Sequence, residues 1–428
     1  MPACAACAAP AALACGACAT PYCSPACQRG AWPAHKAACR AAAAARAAAA
    51  AVAAQSKIYA HNLKACSQCA ASFGGKEPHE CTRCRSVAYC GVDCQRAAWG
   101  AHKVFCKAVG EAKFAADLAR AEAGDAAAMY NVAVNFDMGT GVIINAREAF
   151  RWYTRAAEAG LKEAQFNLGV CYKKGKGVAA DASVAVKWYT RAAKAGDADA
   201  QFNLGCCYET GTGIAADASE AVKWYTRAAE IGDPAAQVNL GVCYEKGKGV
   251  IADVCAAVKW YTRAAKAGDA DAQFNLGVCY ENGTGVAANA CAAVEWYTRA
   301  AEAGDAKAQC ALGVCYANGT GVAIDARTAV KWYTCAAEAG FAKAQFNLGN
   351  GYANGRGVAA DERAAVKWWT RAAEAGLANA QYNLGVFFAK GDGVARDLAA
   401  ARTWLTRAAA AGHAKAAAKL AQLDADEA

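Results

Sequence analysis

The sequence contains no stretch of 18 strongly apolar residues, so no segment has the length and hydropathy of a membrane-spanning helix. Its N-terminus has neither the basic start nor the apolar core of a secretory signal. Acidic residues are scarce at this end, since residues 1–110 hold 12 Lys and Arg but only 3 Asp and Glu. Because the sequence has neither a membrane-spanning segment nor a secretory signal, we expect a soluble protein inside the cell, in the cytoplasm or the nucleus.

Catalytic fingerprints are also missing. We find no P-loop, zinc-protease, nucleophile-elbow or dinucleotide-binding motif. Acidic residues recur at equivalent positions along the second part of the chain, which favours structural roles over one catalytic pair. The sequence thus predicts a protein that is not an enzyme, with no catalytic residues and no small-molecule substrate.

Cysteine is abundant, and 14 of the 24 cysteines lie in the first 106 residues. They form two clusters that each end in a histidine and a cysteine, in the order C-x2-C, C-x2-C, C-x3-C, H-x3-C. The two residues inside a CxxC pair form a turn that places both sulfurs on one tetrahedral zinc ion. The predicted ligands are Cys4, Cys7, Cys15, Cys18, Cys23, Cys27, His35 and Cys39 in the first cluster, and Cys66, Cys69, Cys81, Cys84, Cys90, Cys94, His102 and Cys106 in the second.

Eight ligands per cluster suffice for two sites, so we predict four Zn²⁺ ions, two per cluster. Small core cysteines or disulfides are the alternatives, but the same ligand order occurs twice and the cell interior is reducing. Zinc-bound thiolates would also offset most of the formal net charge of +9, which weakens a nucleic-acid interpretation. His61 and His79, close to the second cluster, are interpreted as solvated loop residues.

The clusters resemble the MYND finger, whose CxxC pairs, Y-C-x3-C-Q segment, tryptophan and closing H-x3-C cover residues 4–39 and 66–106. This resemblance implies that the sites interleave. One zinc of the first finger would be held by Cys4, Cys7, Cys23 and Cys27, and the other by Cys15, Cys18, His35 and Cys39. In the second finger the sets would be Cys66, Cys69, Cys90 and Cys94, and Cys81, Cys84, His102 and Cys106.

The resemblance further implies a binding site for short proline-containing peptides beside Gln95 and Trp99, and beside Gln28 and Trp32 in the first finger. A purely structural zinc domain is the alternative. Some MYND proteins are lysine methyltransferases, but their finger interrupts a catalytic domain. Here every residue after 110 belongs to a different, repetitive region.

That region repeats every 36 residues, a period typical of stacked two-helix units. Tryptophan marks the repeat at Trp152, Trp188, Trp224, Trp260, Trp296, Trp332, Trp368 and Trp404. We interpret this ladder as core. Asp or Asn precedes each second helix, where its side chain can cap free N–H groups: Asn145, Asp181, Asp217, Asp253, Asn289, Asp325, Asp361 and Asp397.

The units resemble the SEL-one-like repeat, a relative of the tetratricopeptide repeat. The resemblance implies a right-handed superhelix whose first helices line a concave surface that holds partner proteins. By register, the groove residues would be Phe166, Phe202, Phe274, Phe346 and Tyr382, with Val170, Val242 and Val278. The alternative is that these side chains fill the core between repeats.

Cysteines of the repeats have two predicted roles. One series recurs in the first helices, where we expect buried thiols: Cys171, Cys207, Cys243, Cys279 and Cys315. Cys255, Cys291 and Cys335 do not recur regularly, so no disulfide in every repeat is expected. Basic pairs on the second helices, such as Lys187 with Arg191, are interpreted as a solvated face.

The predicted fold is all-α: a right-handed α/α solenoid of eight 36-residue repeats after two small zinc fingers. The segments are a first finger (1–40), an alanine-rich helical linker (41–60), a second finger (61–110), a capping half-repeat (111–124), eight repeats (125–411) and a C-terminal capping helix (412–428). We expect a zinc-binding adaptor that docks proteins or proline-containing peptides, and not membranes or nucleic acid. The alternatives are a nucleic-acid-associated or chromatin-regulatory zinc-finger protein and a non-catalytic subunit of an enzyme complex.

Overall fold

The computed structural model describes residues 109–425 and four short strand segments, 13–14, 21–22, 79–80 and 88–89. The chain forms two compact units, Met1–Asp197 and Ala198–Ala428. In the first unit, strands β1 (Leu13–Ala14) and β2 (Pro21–Tyr22) pair antiparallel, as do β3 (His79–Glu80) and β4 (Ala88–Tyr89). His79 therefore lies in a strand, opposite Tyr89, and its prediction as a loop residue is wrong. His61 lies outside the described residues.

The other described residues, 109–425, form helices joined by short turns. The first unit contains α1 (109–122), α2 (Ala126–Met138), α3 (Ala146–Glu158), α4 (Lys162–Lys174) and α5 (Ala182–Lys194). The second contains α6 (Ala198–Thr210), α7 (Ala218–Ile231), α8 (Pro234–Lys246), α9 (Val254–Lys266), α10 (Ala270–Asn282), α11 (Ala290–Glu302), α12 (Ala306–Asn318), α13 (Ala326–Glu338), α14 (Ala342–Asn354), α15 (Glu362–Glu374), α16 (Ala378–Lys390), α17 (Leu398–Ala410) and α18 (Ala416–Ala425).

The ends of the helices follow the predicted local chemistry. All eight predicted Asp and Asn residues cap a second helix; the carboxylate of Asp181, for example, accepts hydrogen bonds from the backbone N–H groups of Ser183 and Val184. The first helices end in a glycine with positive φ, such as Gly175 at 69°, whose N–H donates to the carbonyl of Cys171. These caps fix the length of each helix at the same point of every repeat.

Each core cluster within a unit joins two successive repeats. In one of them, Tyr261 and Ala264 of α9 pack with Leu276 and Cys279 of α10, and the next tryptophan, Trp296, covers the cluster. A buried glutamine strengthens the junction, since the Gln273 side-chain amide donates to the carbonyl of Ala265 at 3.1 Å. The same bond forms at five other junctions: Gln165 to Ala157, Gln237 to Ala229, Gln309 to Ala301, Gln345 to Ala337, and Gln381 to Ala373.

The aromatic core differs from the predicted one. Trp152 and Trp224 are buried, whereas the other six tryptophans of the ladder are only half-buried. The fully buried residue is the one that follows the tryptophan, as in Tyr225 and Tyr261, which are both 0% exposed. The ladder is therefore the outer layer of the junctions between repeats, and the interpretation of all eight tryptophans as core is corrected.

Candidate functional site

The predicted zinc ligands and peptide-binding residues all lie outside the described residues. They are Cys4, Cys7, Cys15, Cys18, Cys23, Cys27, His35, Cys39, Cys66, Cys69, Cys81, Cys84, Cys90, Cys94, His102 and Cys106, and Gln28, Trp32, Gln95 and Trp99. The described strands nevertheless frame two of the CxxC pairs. Their assignment as ligands and as a docking surface stays a prediction.

In the first finger, Leu13 pairs with Tyr22 and Ala14 with Pro21, so the segment that carries Cys15 and Cys18 connects two paired strands. In the sequence, Cys23 directly follows the second strand. The second finger has the same layout, because β3 and β4 flank the segment with Cys81 and Cys84, and Cys90 follows β4. In both fingers, paired strands therefore flank the second CxxC pair in the sequence.

A metal site elsewhere would need three or more His, Cys, Asp or Glu side chains close together. Within residues 109–425, no such group is found. The predicted buried series of cysteines is buried: Cys171, Cys207, Cys243, Cys279 and Cys315. Burial raises the pKa of Cys171 to about 11, so this thiol stays protonated at neutral pH. These thiols are packing residues and not metal ligands.

The predicted groove residues Phe166, Phe202, Phe274, Phe346 and Tyr382 are all half-buried, as are Val170, Val242 and Val278. The ring of Phe274 lies 5.8 Å from the ring of Tyr297, and Phe166 and Phe202 contact the equivalent tyrosines. Tyr382 stacks on His413 at 4.3 Å. These rings thus pack against their own repeat, and part of their surface stays exposed. Their contact with a partner stays a prediction.

In seven of the eight repeats an arginine of the second helix lies over the tryptophan ring. The Arg191 guanidinium, for example, lies 4.5 Å from the Trp188 ring centroid. In the remaining repeat the equivalent residue is Cys335, beside Trp332. The neighbouring lysines, such as Lys187, are exposed. Arg191 is exposed as well, so the predicted solvated face is confirmed, and its arginines in addition cover the tryptophans.

Buried tyrosines of the second helices donate hydrogen bonds to carboxylates on the first helices. Tyr225 donates to Glu209 at 2.6 Å, and the ammonium group of Lys248 lies 2.7 Å from the other oxygen of that carboxylate. Desolvation opposes ionisation of Glu209, but the hydrogen bonds from Lys248 and Tyr225 outweigh it and lower the pKa of this carboxyl. Tyr261 donates to Glu245 at 2.7 Å in the next repeat, and Tyr297 to Glu281 at 2.6 Å in the one after. In the sequence the tyrosine and the glutamate recur 16 residues apart, but no motif marks them as a pair.

The pattern changes between α12 and α14, where a cavity of about 440 Å³ opens. Two departures from the repeat lie in its wall, because Ala317 replaces the glutamate and Gly351 replaces the buried cysteine. The cavity is lined by Val314, Ala317, Asn318, Ala326, Ala329, Val330, Tyr333, Asn347, Asn350, Gly351, Asn354 and Arg356.

Repeated two-helix units preceded by cysteine-rich hairpins define an all-α repeat protein of the solenoid class with two small metal-binding fingers. The chain belongs to the Sel1 repeat family, as eight successive segments match this repeat: 126–161, 162–197, 198–233, 234–269, 270–305, 306–341, 342–377 and 378–413. Residues 4–39 and 66–106 match the MYND finger. The predicted all-α solenoid of eight 36-residue repeats and the two MYND-type fingers are confirmed.

Solved structures of other proteins have a similar fold. A protective antigen of uropathogenic Escherichia coli with an SLR fold is 35% identical, with a TM-score of 0.66 over 72% of this chain and 66% of that one. A Sel1 repeat protein from Oxalobacter formigenes is 34% identical, with a TM-score of 0.58 over 72% of this chain and 89% of that one. The chain thus spans just under two thirds of the first structure and most of the second.

Among curated proteins, SET domain-containing protein 14 of Caenorhabditis elegans is 50% identical over 44 residues. The match covers 10% of this chain and 10% of that relative. It is too short to carry the relative's named domain over to this chain. In the described residues, no helix is both long and apolar enough to cross a bilayer.

Proposed function

We propose that this protein is a zinc-binding adaptor that brings together partners of two kinds. Sel1 repeats and MYND fingers are both protein-interaction modules, and their combination in one chain is the observation that carries the proposal. The helices of residues 109–425 are occupied by the repeats and their flanking helices, which leaves no separate catalytic domain in this part of the chain. The proposed role is to hold proteins together rather than to transform a substrate, inside the cell where thiolate ligands stay reduced.

The fingers would hold four Zn²⁺ ions through the 14 cysteines and two histidines predicted above. Small domains of this kind have too little apolar core to fold alone, so zinc binding supplies much of their folding free energy. The match of both segments to the MYND finger supports the interleaved arrangement. Native mass spectrometry is expected to find about four zinc ions per chain, and Cys15→Ser to reduce that number.

The second finger would dock a short proline-containing peptide beside Gln95 and Trp99, and the first finger beside Gln28 and Trp32. The repeats would bind a second protein along their first helices, where rings such as Phe274 and Phe346 are half-buried. The two kinds of site lie in different modules. Loss of one should therefore leave the partners of the other attached.

Affinity purification from a cell lysate tests this proposal with the zinc-loaded whole chain, the Trp99→Ala variant and the matched Trp32→Ala variant as baits. The expected result is that Trp99→Ala loses a defined subset of partners while its zinc content is unchanged. If all baits capture the same proteins, the fingers are structural and recognition belongs to the repeats. If none captures a defined partner, the adaptor function is wrong.

A further inference from the structure

One arrangement of side chains recurs along the second unit with the repeat period. At repeat 3 it comprises a buried hydroxyl donor, Tyr225, a carboxylate, Glu209, and a cation from the following repeat, Lys248. The tyrosine and the lysine approach different oxygens of the same carboxylate, at 2.6 and 2.7 Å. Two donors on one anion make charge-assisted hydrogen bonds, which are stronger than neutral ones. The carboxylate is thus satisfied from both sides.

Repeats 4 and 5 keep the first two members and lose the third. Tyr261 donates to Glu245 and Tyr297 to Glu281, while Thr284 and Thr320 occupy the positions equivalent to Lys248. The first unit has a related set, in which Lys176 lies 2.6 Å from Asp137 in the repeat of Tyr153. Both lysines at this repeat position, Lys176 and Lys248, are thus paired with a carboxylate.

At repeat 6 the buried tyrosine and the cation from the following repeat are both present, but the carboxylate is missing. Tyr333 and Arg356 stand three repeat lengths after Tyr225 and Lys248, but the position equivalent to Glu209 is Ala317. Arg356 reaches this place, because its guanidinium donates to the carbonyl of Ala317 at 3.1 Å. Tyr333 is only 8% exposed, yet its hydroxyl donates to no side chain among the described residues. Burial raises the pKa of this hydroxyl, so it remains a donor at neutral pH.

The cavity described above opens at this place. Its volume of about 440 Å³ lies in the range of ligand-binding pockets. Gly351 contributes to it, since even a β-carbon built there would have no neighbour closer than 3.5 Å. Arg356 is the one charged residue among those that line the cavity, so an anion would meet no opposing carboxylate in its wall.

Asparagine amides form a further part of the wall. Asn350 is held in place because its side-chain oxygen accepts hydrogen bonds from the Trp369 indole at 3.2 Å and from Asn383 at 3.3 Å. Its own amide N–H groups donate to none of the described residues, which leaves them available to a ligand carbonyl. Asn347 and Asn354 also line the cavity. Amide side chains both donate and accept, as the peptide groups of an extended segment require.

We propose that this cavity binds the side-chain carboxylate of a glutamate in an extended segment of a partner protein, in the place that Glu209 occupies in repeat 3. Tyr333 and Arg356 would donate to the two carboxylate oxygens, and the asparagines would meet the flanking peptide groups. The inference rests on the proposed adaptor function and gives the repeats a specific ligand chemistry. A glutamate is favoured over a chain terminus because the group missing from the repeat pattern is a glutamate side chain.

The test measures binding of the zinc-loaded whole chain to the peptide Gly-Ser-Glu-Ser-Gly, acetylated and amidated at its ends, by isothermal titration and ligand-observed NMR. The same peptide with glutamine in place of glutamate is the control, and it is expected to bind at least about 10-fold more weakly because it lacks the charge. Tyr333→Phe and Arg356→Gln are each expected to weaken binding of the glutamate peptide several-fold.

Ala317→Glu supplies the missing carboxylate from within the chain. It is expected to raise the thermal midpoint and to abolish binding of the glutamate peptide. Ala353→Glu is the matched control one repeat further on, where Trp369 and Asp392 replace the tyrosine and the cation. That variant should bind the peptide as the unmodified protein does.

Equal affinity for the glutamate and glutamine peptides would overturn the proposal, as would unchanged binding by a folded Tyr333→Phe variant. A peptide without glutamate but with a free C-terminus is the third probe. If it binds as tightly as the glutamate peptide, the site takes chain termini and the side-chain proposal is wrong. Each of these results leaves the adaptor function standing if the whole chain still captures defined partners from lysate.

Discussion

The indole ring of Trp369 packs directly against the backbone of Gly349, so that a β-carbon at Gly349 would lie 2.5 Å from Cδ1 of the indole. The same relationship joins Gly277 to Tyr297 and Gly205 to Tyr225. A glycine in the middle of a helix costs about 1 kcal/mol relative to alanine. Here the absence of a side chain lets the aromatic ring of the second helix lie directly against the backbone of the first helix.

We predict opposite effects for two substitutions in helix α14. Gly349→Ala should lower the free energy of unfolding by about 2 kcal/mol, because the methyl group overlaps the Trp369 ring. Gly351→Ala should raise it by up to about 1 kcal/mol, since that position is helical and has room for a β-carbon. Urea denaturation of the whole chain measures both. A loss of stability in both variants would show that the space beside Gly351 is not available.

Stability at acid pH should depend on Glu209. Its pKa is lowered in the folded protein, so its contribution is fully present above its ordinary value near 4.5 and is lost as the pH falls through the lowered pKa. We expect the thermal midpoint of the unmodified protein to fall more steeply between pH 6 and pH 3 than that of Glu209→Gln. Parallel curves for the two proteins would contradict the prediction.

Alkylation should distinguish two classes of cysteine in the repeats. Cys255, Cys291 and Cys335 are exposed and should react with iodoacetamide at neutral pH. The buried thiols should not, because desolvation raises the pKa of Cys243 to about 11 and thiolate is the reactive form. Mass spectrometry of tryptic peptides reads the labelled sites, with urea-unfolded protein as the control. Rapid labelling of Cys243 in the folded protein would show that its helix opens readily.

Trp332 lacks the arginine that covers its counterparts, because Cys335 occupies that position. We predict that Cys335→Arg places a guanidinium over the Trp332 ring and stabilises the protein by about 0.5 to 1 kcal/mol. Cys335→Met, which adds a side chain without charge, is the control and should give a smaller gain. Thermal unfolding monitored by circular dichroism compares the two. Equal gains would attribute the effect to packing alone.

Local chemistry made the helix boundaries predictable from sequence. Asp181 and its seven equivalents accept bonds from N–H groups two or three residues away, so no distant contact is needed to place them. The choice between Trp224 and Tyr225 as the innermost aromatic residue was not predictable in the same way. Adjacent residues on a helix point about 100° apart, and the neighbouring helix decides which one is fully enclosed.

The cavity could have been foreseen only in part. Alignment of the repeats shows that Ala317 and Gly351 depart from the pattern, but the meaning of Ala317 depends on a contact that the sequence does not reveal. That contact is the hydrogen bond from the buried tyrosine to the glutamate, seen in Tyr261 and Glu245. Once this hydrogen bond is known, Ala317 indicates that the carboxylate partner of the tyrosine is missing. Sequence alone suggested a more general groove of aromatic rings.

Each core cluster in residues 198–413 joins only neighbouring repeats. Under mechanical tension, the repeats should therefore unfold one at a time, each with the same gain in length. A 36-residue repeat that detaches and extends would release roughly 120 Å of chain. Pulling a tethered molecule by its ends would then give a sawtooth of evenly spaced events rather than one rupture. A partner bound at the cavity near Tyr333 would contact two neighbouring repeats and delay their unfolding under force.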